Sequence, residues 1–185
     1  MTPNLDETPI LVPPFDRAFI CAYDKLANPT NNREAAYRAG MEDVLKPGTE
    51  IVYQPNAETL FARIYDIHGG MLPSEKLLVL VEPTVTIRSK TWRHVVNTVL
   101  GVRKNTSIIV AVDTLRAHTS RLVSYDQQHY DRIPNPSGPQ EVIREAQALG
   151  LDVLQFTKDT APEDIQAYFA ALAKRTIAVD QCIKL

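Results

Sequence analysis

The chain has 185 residues, 44% of them hydrophobic and 23% charged, with a net charge of −2. That length and composition describe one globular domain with its own core, of the kind expected in the cytoplasm. Lysine and arginine are scattered, which argues against a nucleic-acid partner, and no apolar run approaches the roughly 20 residues of a membrane span.

Residues 1–15 carry four prolines, three of them from Pro9 onward, and read as an extended amino-terminal arm. The rest, 16–185, reads as a single α/β domain. Five short apolar, β-branched runs lie at 17–23, 50–53, 76–81, 107–112 and 151–156. Helix-like stretches separate most of them. Strands of a parallel sheet are buried on both faces, so they read as continuous apolar runs rather than alternating ones. The expectation is a doubly wound, five-stranded, mostly parallel sheet of order 2-1-3-4-5 with helices on both faces.

Between the runs, Asn31 and Asn32 with the following Glu34 mark a helix start, expected to bury Ala35, Ala36, Ala39 and Val44 and to stop at Pro47-Gly48. A second helix follows Asn56, with Leu60, Phe61, Ile64 and Ile67 at helical spacing before Gly69-Gly70. The run at 77–81 is the most hydrophobic and belongs in the middle of the sheet. A third helix spans 91–100, with Trp92, Val95, Val96 and Val99 on one face and Gly101 at its end. The segment at about 114–139 is a long polar insertion that closes in a run of prolines, Pro134, Pro136 and Pro139. Insertions of that length are commonly functional. A helix over 140–149 precedes the fifth strand. The last helix starts at Thr160-Ala161-Pro162-Glu163, a capping-box spacing with a first-turn proline. Residues 176–185 read equally as a short strand or as a continuation.

Three runs end in an acid: Asp24, Glu82 and Asp113. In the order 2-1-3-4-5 the ends of strands one, three and four are neighbours, so these acids would converge at the edge where such sheets bind ligands. Converging carboxylates repel, and a divalent cation such as Mg²⁺ is the usual remedy. The plainer account is that acids after strands cap turns. His118 and His129 lie in the insertion near Asp126 and Asp131 and are candidates for acid–base or metal work. Cys21 and Cys182 make no disulfide framework. Neither a phosphate-binding glycine loop nor a Gly-x-Ser-x-Gly elbow occurs.

The last third of the chain, from Glu141 through Asp152-Val153-Leu154-Gln155-Phe156-Thr157-Lys158 to Ala161-Pro162-Glu163-Asp164-Ile165, resembles the closing helix–strand–Lys–helix run of the receiver domains of two-component signalling. The resemblance implies a flavodoxin-like fold with a site made of Asp24, Glu82, Thr114 and Lys158. Strand one offers one acid instead of a pair, strand three ends in Glu instead of Asp, and the loop after strand four is longer. A degenerate receiver is what this implies: a regulatory module that works by contact with a protein partner and is not phosphorylated in the usual way. More weakly, Phe15–Tyr23 in its residues 15–23, with Ser89-Lys90-Thr91-Trp92, is similar to TIR domains. The position of their catalytic glutamate is Val96 here. Nucleoside deoxyribosyltransferases share the architecture, but neither their Asp-rich nor their Glu-bearing helix pattern is present. Three functions are thus carried forward. They are a receiver-like interaction module with a protein partner or self-association, a Mg²⁺-dependent or TIR- or deoxyribosyltransferase-like enzyme acting on a nucleotide or phosphate ester, and a structural subunit of an assembly.

Overall fold

Five strands, β1 (Arg17–Cys21), β2 (Ile51–Gln54), β3 (Leu77–Val81), β4 (Thr106–Asp113) and β5 (Asp152–Phe156), form one all-parallel sheet in the order β2-β1-β3-β4-β5. The computed structural model describes residues 14–22, 33–54, 57–68, 70, 74–83, 92–102, 105–114, 138–157 and 159–183. The helices are α1 (Arg33–Glu42), α2 (Ala57–His68), α3 (Trp92–Val102), α4 (Pro139–Ala148) and α5 (Pro162–Ile183). The topology is flavodoxin-like, as the alternation of runs and helices predicts. Of the arm expected at 1–15 and the insertion expected at about 114–139, residues 1–13 and 115–137 lie outside the described residues, while Phe15 is fully buried and bridges to Leu45, and Pro139 already opens α4. Among the described residues no helix is long and apolar enough to cross a membrane.

Strand alternation divides the core in two. Ala18, Ile20, Leu78, Leu80, Ile109, Ala111, Leu154 and Phe156 face α1 and α5. Phe19, Cys21, Leu77, Val79, Val81, Ile108, Val110 and Val112 face α2, α3 and α4. All five residues of β3 are fully buried, and β3 is indeed the central strand. Edge position shows in β5, where Gln155 is exposed while Leu154 and Phe156 are buried.

Several local expectations shift. The buried stripe of α1 is Ala36, Tyr37, Gly40 and Met41, continued by Val44, whereas Ala35 is exposed and Ala39 only half-buried. The helix rotates to bury its large side chains, because a tyrosine and a methionine remove far more apolar surface from water than two alanines. It also ends at Glu42, before Pro47, and Gly48 instead makes the turn into β2 with φ +80°. The end of α3 falls near Gly101 as expected, at Val102.

The close of α4 is a full Schellman motif. Gly150 at φ +70° donates to the Gln147 carbonyl at 2.9 Å, and Leu151 donates to that of Ala146 at 3.0 Å. At the start of α5 the hydroxyl of Thr160 faces away from the helix and accepts from the Thr157 amide at 2.8 Å. With Pro162 first in the helix, Ala161 holds the cap position, so Thr160 closes the turn after β5 instead of forming a capping box. The chain after Thr176 continues α5 to Ile183, since nothing between the two is a helix breaker.

Asp16 staples the start of the sheet. It accepts from the Lys76 amide at 2.7 Å and from the Lys46 ammonium, joining the approach to β1 to that of β3 and to the α1–β2 turn. Partial burial raises its pKa, but the hydrogen bonds from Lys46 and Lys76 outweigh this and hold the carboxyl below its ordinary value. A depressed folded-state pKa adds stability above the unfolded value near 3.8, lost as pH falls through the folded one. Asp16→Asn should therefore flatten the acid limb of the stability–pH curve below about pH 4 and leave its shape near neutrality unchanged. Denaturant titrations across that range check this.

Candidate functional site

The carboxyl edge of the sheet on the α1/α5 side gathers the polar residues of the core. Glu82 directly follows β3, and Asp113 is the last residue of β4. They are the only buried charged side chains among the described residues, 4% and 5% exposed. Leu78 and Leu80 face α1 and α5, and so do Ile109 and Ala111. Alternation therefore puts Glu82 and Asp113 on that same face. Glu82 and Asp113 therefore share one edge and one side of the sheet.

Their levels differ. Val81 pairs with Val110, which sets Glu82 beside Ala111, while Asp113 pairs with Phe156. Asp113 is thus two residues, about 7 Å, further along the strand direction than Glu82. The stagger comes from β4, which is eight residues long against five for β3. Glu82 lies deeper and Asp113 nearer the rim.

Glu82 is held from above by α1. The Tyr37 hydroxyl, fully buried, donates to Glu82 Oε1 at 3.0 Å. The same ring meets Phe156 edge-on, with centroids 6.1 Å apart and planes at 79°. Tyr37 therefore links α1, the end of β3 and the end of β5. On the other flank the half-buried Tyr53 of β2 donates to the Ala22 carbonyl at 3.0 Å, pinning the exit of β1. Thr114, the residue after β4, donates its amide to the Phe156 carbonyl at 2.9 Å, and its hydroxyl lies 3.4 Å from the same oxygen. The two tyrosines escaped the sequence reading. Tyr37 lies four residues before Met41, at helical spacing, but nothing local chooses that stripe of α1 over the others, and Tyr53 carries no local signal.

Of the other residues singled out in the sequence, Asp24, His118, His129 and Lys158 lie outside the described residues. Among the described residues no group of three or more His, Cys, Asp or Glu side chains is placed to hold a metal ion. The Mg²⁺ site expected from the sequence includes Asp24 beside Glu82 and Asp113, so one of its three acids lies outside the described residues. Val96 is 1% exposed and packed between α3 and the sheet.

Cys21 ends β1 on the α2–α4 side. Burial, with the charge of Glu82 adding to it, pushes its thiol up to about 12. It is a packing residue, since the thiol and not the thiolate is present near neutrality. Native protein treated with iodoacetamide at mildly alkaline pH should yield an unmodified Cys21 peptide, and prior unfolding should expose it to alkylation. Compared with known proteins, the chain matches no family model and shows significant similarity to no curated protein and no solved structure.

Proposed function

We propose that the chain is a receiver-like regulatory or protein-interaction module that is not phosphorylated in the usual way. The observation that supports this is the state of Glu82. A carboxylate that accepts a phosphoryl group must meet its donor in line and exposed, whereas this one is almost wholly buried and engaged by a buried tyrosine. The side chain at the position matching a receiver's phosphoacceptor therefore serves the packing of α1. In the same way, the weaker TIR resemblance loses catalysis at Val96 and leaves contact as the function. Both lines favour a module read by a protein partner or by a second copy of itself, and a structural role in an assembly is a special case.

The test pairs chemistry with association. Incubation with acetyl phosphate and Mg²⁺ should give no phosphoryl adduct by intact mass, and light scattering or cross-linking should reveal a defined complex with itself or a purified partner. A Mg²⁺-dependent adduct that disappears in Glu82→Gln would overturn the proposal.

A second reading, a Mg²⁺-dependent enzyme on nucleotides or phosphate esters, draws support from Asp113 lying on the same face as Glu82 and nearer the rim. In it Asp24, Glu82 and Asp113 hold the ion, with His118 or His129 as acid or base. It expects turnover that Asp24→Ala and Asp113→Ala each abolish without unfolding the protein.

A further inference from the structure

At the opposite edge of the sheet, where the strands begin, a cleft of about 260 Å³ opens between β1, β2 and α2. Arg17, Glu50 and Arg63 line it, with the Gly48-Thr49 turn at one end and Phe19 and Val52 beneath. Arg17, Phe19 and Val52 belong to the α2 side of the sheet by alternation. Ala18 pairs with Ile51, so Arg17 is the neighbour of Glu50 across the two strands.

The charge balance of this cleft is informative. Asp16 also lines it, but its carboxylate is already held by Lys46 and the Lys76 amide. Neither Arg17 nor Arg63 forms an ion pair with a described residue. Both side chains are exposed at the cleft wall. Two guanidinium groups on facing elements, one on a strand and one on a helix, are suited to clasp a single anion, because each offers a planar fork of donors. Glu50 adds one acceptor-only carboxylate beside them. That combination discriminates against a bare polyanion and favours a ligand with an anionic head and hydroxyl donors. The volume falls just below the ~300 Å³ at which sites for drug-sized ligands begin, which suits a small polar molecule.

We propose that this cleft binds a small organic phosphate bearing hydroxyl groups, of the sugar-phosphate class. The phosphate lies between Arg17 and Arg63, and hydroxyls donate to Glu50. The inference is independent of the module proposed for the carboxyl edge, since the cleft lies at the other end of the strands.

The experiment is an amide NMR titration of the full chain with ribose 5-phosphate, inorganic phosphate and ribose. Ribose 5-phosphate should give saturable shifts at Arg17, Gly48, Thr49 and Arg63. Inorganic phosphate should bind there more weakly, and ribose should give no shifts. Arg63→Ala, an exposed change on α2 that leaves the remaining spectrum intact, should weaken ribose 5-phosphate by roughly tenfold or more, the loss expected for a charge-assisted hydrogen bond. Glu50→Gln should preserve inorganic phosphate binding and lessen the preference for the sugar phosphate. The proposal is overturned by an absence of saturable shifts at the cleft, by affinity unchanged in Arg63→Ala, or by equal affinity for the two phosphates.

Discussion

Replacing Gly40 with alanine should destabilise the fold by about 2 kcal/mol, the cost of forcing a methyl into a filled core. A Cβ at Gly40 would lie 2.4 Å from Cδ2 and 3.0 Å from Cε2 of Phe169. That ring is fully buried where α5 meets α1, so it has no solvent to retreat into. Helix propensity alone predicts the opposite sign, a gain of about 1 kcal/mol for Gly→Ala in a helix. Gly101 in α3 provides the contrast, since a Cβ there meets nothing within 4 Å. Gly101→Ala should therefore be neutral to stabilising, by up to about 1 kcal/mol. Thermal melts should separate the pair in opposite directions, with Gly40→Ala lower by roughly 4–8 °C for a domain of this size. Phe169→Leu in the Gly40→Ala background should recover part of the loss. A Gly40→Ala protein as stable as the parent would mean that α1 and α5 pack less closely than the structure has them.

The second large effect concerns Tyr37 and Glu82. Tyr37→Phe keeps the ring against Phe156 but removes one donor to Glu82. Leaving a buried acceptor short of a partner costs about 1–3 kcal/mol. Glu82→Gln keeps the shape and one acceptor oxygen, and should cost less than Glu82→Ala, which takes an acceptor from the tyrosine hydroxyl and also opens a cavity. A double-mutant cycle of Tyr37→Phe with Glu82→Ala should show coupling of about 1 kcal/mol or more, read from urea unfolding midpoints. Strict additivity would show that the hydroxyl and carboxylate do not depend on each other. Because Tyr37 ties α1 to the ends of β3 and β5, the same variants should speed amide exchange at the carboxyl edge of the sheet before they affect the strand centres.

The candidate site was partly legible in one dimension. Glu82 and Asp113 could be named because each directly follows an unbroken apolar run, and a parallel sheet brings such ends to one edge. Their stagger was not legible, because register depends on how far β4 extends past β3. Tyr37 was hidden for a related reason. The rotation of α1 on the sheet decides which side chains turn inward, and several apolar stripes on that helix were open to it. Tyr53 and the Ala22 carbonyl meet across 31 residues of chain, a separation at which no local pattern carries information.

Parallel strands buried on both faces have to be apolar along their whole length, so five such runs separated by helices already imply a doubly wound sheet. Gly150 at the end of α4 is similarly local, since the αL conformation it adopts is one that other residues resist. Packing decided the rest. The Gly40–Phe169 approach and the Tyr37–Glu82 bond each join elements far apart in the chain, as does the cleft that Arg17 and Arg63 both line. Their energies come from contact, burial and charge, which exist only once the helices and strands have taken their places.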